Sequence, residues 1–212
     1  MDRKISWKLY LTALIISIIV FSAGIAVGLF LTQSVNDSLQ NELSGLRSRT
    51  TELELLFLLN SSSNLCSFYS QQVKAFDQDT SSFGAKLDFL EKKRGRLDQG
   101  VRDLKKEFSV MQLRDYLFVS KFNEVCPQKI DSLLFFYTNE NCPECTKQGL
   151  VGPDLKQKHP DLMIYAFDVD LNSPAVEALR ELYAINSYPS IVLNGVVFNG
   201  YQSSQEIESL LN

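Results

Sequence analysis

Cys142-Pro143-Glu144-Cys145 sets two thiols three positions apart, directly after the apolar run Leu133 to Tyr137 and at the start of a segment that reads as a helix. That context has a chemical consequence. The first cysteine falls at the helix N-terminus, where unpaired backbone N–H groups and the positive end of the helix dipole favour thiolate over thiol. Cys142 is therefore the expected nucleophile. Cys145, one turn along the same helix, is within reach of any mixed disulfide that Cys142 forms, and its attack there releases the partner. The motif has three other uses: an inert disulfide, half of a zinc site, or chance. Zinc held by four thiols needs a second close pair, and Cys66 and Cys126 lie far apart in sequence. Dithiol-disulfide exchange is the expectation, with no metal and no cofactor.

The elements around the motif must hold it at an accessible edge. After a helix over about 143–158 comes Asp161 to Asp168, an apolar run long enough for a buried strand. A second helix, about 174–184, opens on Pro174 and carries Val176, Leu179, Leu182 and Tyr183 at spacings that cover one face. Ser190 to Phe198 reads as a β-hairpin folded at Asn194-Gly195, and a short helix follows over about 204–211. This βαβ-αββα order, over about residues 129–212, resembles the minimal thioredoxin fold, an α/β class. In that family a cis-proline precedes the third core strand and faces the Cys-x-x-Cys, and Tyr188-Pro189 occupies the corresponding place. The resemblance implies that Tyr188 and Pro189 form the substrate-binding edge, with the residue before the proline offering its backbone to an incoming peptide as an extra strand. It also implies a thiol-disulfide oxidoreductase acting on protein thiols and disulfides, kept in its working redox state by an unidentified redox partner. The chain departs from the family pattern in three places. Asn141 replaces the aromatic residue before the first cysteine, Pro143-Glu144 replaces Gly-Pro, and Phe136 stands where many thioredoxins bury an acid.

The other end of the chain bears on location. From Leu9 to Leu31 there is no charged residue, and at ~1.5 Å rise per residue such a helix crosses a hydrocarbon core of ~30 Å. A secretory signal has a shorter apolar region, and this run continues beyond the one small-residue stretch, Ser22-Ala23-Gly24, that a signal peptidase could use. An uncleaved single-pass anchor is the expectation. Arg3, Lys4 and Lys8 precede the span, while Asp37 and Glu42 are the first charges after it, so the N-terminus is expected in the cytoplasm and the remainder outside. The expected organisation is a cytoplasmic N-terminus (1–8), a transmembrane helix (9–31), an extracytoplasmic helical stalk or hairpin (32–127) and a thioredoxin-like domain (128–212). Disulfides persist in such a compartment, which makes Cys66 and Cys126 candidates for a structural bridge.

The intervening segment reads as helix throughout. Leu39, Leu43, Leu46, Leu53 and Phe57 form one apolar stripe, which the polar stretch 60–64 ends. Leu65, Tyr69, Val73, Phe76, Phe83, Leu87 and Leu90 form a second, and Val101, Leu104, Phe108, Met111, Phe118, Phe122 and Val125 a third. One continuous coiled coil would join the last two, but Gly95 and Gly100 each cost a helix interior about 1 kcal/mol relative to alanine, and a turn is expected there. A reversal at 95–100 puts residue 69, or thereabouts, opposite Cys126, within about one turn of Cys66. The hairpin and the bridge thus support each other.

Weaker signals complete the reading. Gly24 and Gly28 have the spacing that lets two membrane helices approach, hence a possible homodimer. The cluster Lys92-Lys93-Arg94-Gly95-Arg96 reads as a solvated helix end, and His159, before Pro160, as a surface residue. Asn36 and Asn60 head glycosylation sequons. A net charge of −4 and the lack of any basic patch with interleaved aromatics argue against a nucleic-acid partner. Two readings from other classes stand beside the oxidoreductase: a redox-inactive module that binds peptides at Tyr188-Pro189, and a helical docking protein with an accessory redox domain.

Overall fold

The structure, a computed structural model, describes residues 7–59 and 66–211. Arg3 and Lys4, the 60–64 stretch with its sequon, and Leu65 lie outside the described residues. The chain divides into two compact units, 1–41 and 42–212. In the first, the described residues are all helical, part of α1 (Trp7–Leu59). Its Tyr10–Gly28 stretch has a mean hydropathy of 2.4 and exposed apolar side chains, long and apolar enough to cross a membrane.

The second unit begins with the end of α1 and a helical hairpin, α2 (Cys66–Arg94) and α3 (Gln99–Val125). Local chemistry fixes the reversal. Gly95 adopts φ +89°, the left-handed conformation that ends a helix, and its N–H donates to the Glu91 carbonyl at 2.8 Å. Asp98 then caps α3 by accepting the Val101 N–H at 3.0 Å, while Arg94 donates to its other oxygen at 2.9 and 3.1 Å. The Val101 N–H, the largest of these contributions, and the Arg94 guanidinium hold the Asp98 carboxyl below the usual carboxylate range.

A four-stranded mixed sheet follows: β1 (Ser132–Tyr137), α4 (Pro143–Lys158), β2 (Met163–Asp168), a single 3-10 turn (Val169–Leu171), α5 (Pro174–Leu182), β3 (Ser190–Leu193), β4 (Val196–Asn199) and α6 (Ser204–Glu208). The spatial order is β2-β1-β3-β4, with β1 parallel to β2 and antiparallel to β3, and β3 antiparallel to β4. Asn194 and Gly195, both at positive φ, make the β3–β4 turn, and the Asn194 side chain accepts the Ser132 N–H at 2.9 Å, tying the turn to the start of β1.

Alternation along the strands divides the core in two. Leu133, Phe135, Ile191 and Leu193 face Val151 and Leu155 of α4 and Ile207 of α6. Leu134, Phe136, Tyr165, Phe167 and Val192 point the other way, into a cluster shared with Val176 and Leu179 of α5, Val119 and Phe122 of α3, Tyr69 and Val73 of α2, and Phe57 of α1. The hairpin is therefore one wall of the sheet's own core. Tyr165 of β2 donates to the buried Asp115 of α3 at 2.7 Å, Lys156 of α4 pairs with Asp77 of α2 at 2.5 Å, and the Tyr116 and Tyr183 hydroxyls are hydrogen-bonded to each other.

Two sequence expectations need correction. Leu182, read as part of the buried face of α5, is 67% exposed, because at 3.6 residues per turn position 182 falls outside the stripe that Val176 and Leu179 turn toward the core. Val125, read as part of the third apolar stripe, is likewise exposed, at the last position of α3.

Candidate functional site

Cys142 and Cys145 are joined by a disulfide with a Cα–Cα distance of 5.2 Å. Cys142 is the N-cap of α4, Pro143 takes the first helical position, where a missing N–H costs nothing, and the Cys142 Sγ accepts the Cys145 N–H at 3.1 Å. One of the N–H groups that a helix start leaves without a backbone partner is thus aimed at this sulfur, an arrangement that stabilises negative charge there. Burial separates the two: Cys142 is half-buried, Cys145 only 5% exposed.

The loop between β1 and α4 presents Cys142, and Thr138 and Asn139 tie it down. Thr138 Oγ1 donates to Asp170 at 2.7 Å and accepts the Glu140 N–H at 3.0 Å. The Asn139 backbone N–H donates to Asp170 at 2.7 Å, its side-chain amide to Asp168 at 2.9 Å, and its carbonyl accepts from Arg96 of the hairpin turn at 2.7 Å. Asn141 takes positive φ, +48°, immediately before the first cysteine. Behind the loop, Lys105 of α3 donates to Asp168 at 2.5 Å and to both oxygens of Glu91 at 2.9 Å, with its ammonium 5.8 Å from the centre of the Tyr137 ring. Burial acts to lower the Lys105 ammonium, and Tyr137, Asp168 and Glu91 together outweigh it, so the lysine stays charged well above its ordinary range. Burial in turn raises the Tyr137 phenol.

The Tyr188-Pro189 peptide is cis and Pro189 is buried. Ser190 pairs with Phe136 near the end of β1, so Pro189 lies at the end of the sheet from which the chain leaves toward Cys142. Gly200 donates to the Pro189 carbonyl at 2.8 Å, and the Arg180 guanidinium sits 5.7 Å from the centre of the Tyr188 ring. Cys66 and Cys126 form a second disulfide, Cα–Cα 5.8 Å, between the start of α2 and the residue that ends α3. Both are buried in the core beneath the sheet, away from the loop that carries Cys142.

Sequence reasoning singled out the four cysteines, Tyr188 and Pro189, and missed Lys105, Asp168, Asp170, Asn139 and Arg96. One signal was available. Lys105 interrupts the apolar stripe of Val101 and Leu104, and Asp115 that of Met111 and Phe118; a charge on a buried helical face requires a partner.

A mixed sheet in this order, with a Cys-x-x-Cys opening the helix after the first strand and a cis-proline entering the third, is the arrangement of a thioredoxin-like fold over about residues 129–212. No protein-family model matches the chain, and no curated protein does. Among solved structures it is similar to thioredoxin-2 of a malaria parasite, at 22% identity over 39% of this chain and 82% of that one, with a TM-score of 0.34. It is similar also to oxidised thioredoxin O2 of Arabidopsis thaliana (19% identity, 38% and 71% of the two chains, TM-score 0.32). A third is oxidised mitochondrial thioredoxin 3 of Saccharomyces cerevisiae (18% identity, 43% and 84%, TM-score 0.30).

Proposed function

We propose that this protein is a membrane-tethered thiol-disulfide oxidoreductase acting on extracytoplasmic protein disulfides, with Cys142 as the nucleophile and Cys145 as the resolving thiol. The observation that carries the reading is the Cys145 N–H aimed at the Cys142 sulfur at the start of α4. In the reducing direction, the Cys142 thiolate attacks one sulfur of a substrate disulfide. That S–S bond breaks as an intermolecular one forms, and the departing substrate thiolate takes a proton. The Cys145 thiolate then attacks Cys142, closing the disulfide and freeing the second substrate thiol. Two electrons and two protons pass to the substrate. With the pair closed, the same steps run backward and oxidise a substrate dithiol. A separate redox partner resets the pair in either direction. Tyr188 and Pro189, at the same end of the sheet, are the proposed docking edge for an extended substrate segment.

Tethering and sidedness rest on other observations. The Tyr10–Gly28 stretch supplies a spanning length, α1 runs on past it without a break, and the basic residues Arg3, Lys4 and Lys8 precede it whereas acidic residues follow. The buried Cys66–Cys126 bridge belongs to a compartment where disulfides persist.

The test is a trap. Cys145→Ser in the full chain, in its native membrane, is expected to accumulate mixed disulfides with other proteins that a reductant dissolves, and Cys142→Ser/Cys145→Ser to accumulate none. Equal adducts from both variants, or none from either, contradict the assignment.

A further inference from the structure

We propose that Lys105 is a positioning residue for the Cys142–Cys145 pair: through Asp168 and Asn139 it fixes the loop that presents Cys142, so that the helical hairpin sets the reactivity of a dithiol it does not carry. The inference rests on the oxidoreductase reading above.

Its basis is an unbroken line of hydrogen bonds. Glu91 on α2 and Asp168 at the end of β2 share the Lys105 ammonium, whose side chain is 9% exposed. The Asp168 oxygen that accepts from Lys105 also accepts from the Asn139 side chain, and its other oxygen takes the Asp170 N–H at 3.0 Å. Asp170 uses both of its carboxylate oxygens on the loop, one on Thr138 and one on the Asn139 N–H, while its carbonyl accepts from Arg102 of α3 at 3.3 Å. Arg96, at the tip of the hairpin, closes the circuit on the Asn139 carbonyl. Asn139 is thus held at its N–H, its carbonyl and its side chain, three residues before Cys142. A lysine is a poor choice for filling space beside Val101 and Leu104, since burying an ammonium costs free energy unless paired, and leucine or methionine would pack as well. What only the cation supplies is charge against Asp168 and Glu91. Without it, those carboxylates stand unbalanced behind the loop that Asp168 holds through the Asn139 side chain. Unbalanced negative charge there disfavours a thiolate at Cys142, which already has Glu140 and Glu144 as neighbours in sequence.

The experiment uses the reduced full chain in detergent and follows alkylation of Cys142 by iodoacetamide across pH by mass spectrometry, alongside exchange with a peptide disulfide. Lys105→Met is expected to slow alkylation about tenfold at pH 6.5 and to move the profile about one unit upward. Lys105→Met/Asp168→Asn, which removes the ammonium together with the carboxylate on the loop side and leaves only the more exposed Glu91, is expected to recover to within about threefold of the parent, a rescue that a merely structural role does not give. Asn139→Ala, an exposed change that cuts the link to the loop, is expected to slow alkylation about threefold whether or not Lys105→Met folds. A folded Lys105→Met with the parent profile overturns the inference, and so does an Asn139→Ala variant with that profile. A parent chain that does not exchange with the peptide disulfide overturns the oxidoreductase reading instead.

Discussion

Cys142 and Cys145 share one helical turn and differ in everything that governs thiol chemistry: the first is half-buried with a backbone N–H on its sulfur, the second is enclosed. In the reduced protein Cys142 is expected to alkylate first, with a pKa below the free-thiol value of ~8.5, and faster labelling of Cys145 contradicts the assigned roles. Asp115 provides a second test at this scale. Burial, opposed by the Tyr165 hydrogen bond and reinforced by Asp77, raises its carboxyl to about 7. An acid whose folded pKa lies above its unfolded value of ~3.9 binds its proton more tightly in the folded state, so stability is fully present below about pH 4 and is lost as pH rises through about 7. The loss is on the order of 3–4 kcal/mol. Asp115→Asn keeps an acceptor for Tyr165 and removes the titration. Urea unfolding at pH 5 and pH 8 is expected to give the parent a fall in stability that the variant lacks, and parallel pH dependences would argue against a buried, neutral Asp115.

At the scale of elements, the hairpin and the sheet depend on each other. The Cys66–Cys126 bridge closes a loop of 60 residues, which in the chain-entropy model contributes about 4 kcal/mol. Replacing both cysteines by serine is expected to lower the denaturant midpoint of the unit after residue 41 and to leave the Cys142 alkylation profile unchanged; an unaltered midpoint contradicts a stabilising bridge. A fragment of residues 129–212 lacks the α3 wall and bares Leu134, Phe136, Tyr165 and Phe167. It is expected to aggregate or to lose its near-ultraviolet circular dichroism, and a cooperatively folded monomer would show the hairpin to be dispensable. The turn at Gly95 was legible in sequence because the cost of glycine in a helix interior is local. So was the strand-loop-helix around Cys142, since an apolar run and a following proline are local signals too. The packing of α3 on the sheet was not legible, because an amphipathic stripe says that a face is covered and not by what. Nor was the Lys105–Asp168–Asn139 line, whose members are 29 to 63 positions apart in the chain and meet only through the β2–β1 register and the α3 wall.

At the scale of the whole molecule, the proposed anchor confines the dithiol to one face of a membrane and so to the redox poise of one compartment. What the molecule does there depends on whether the Cys142–Cys145 pair opens within that poise. The sulfur at the start of α4 is held where its thiolate is stabilised, which favours the reduced form and lifts the potential, whereas Cys66 and Cys126 are both enclosed in the apolar core, where burial disfavours a thiolate. Equilibration of the full chain in graded glutathione buffers, with both cysteine pairs quantified by mass spectrometry after acid quenching, measures this directly. The account predicts a two-electron transition of Cys142–Cys145 between roughly −120 and −270 mV while Cys66–Cys126 stays closed, and a Cys142–Cys145 disulfide that resists reduction to below about −300 mV would contradict it.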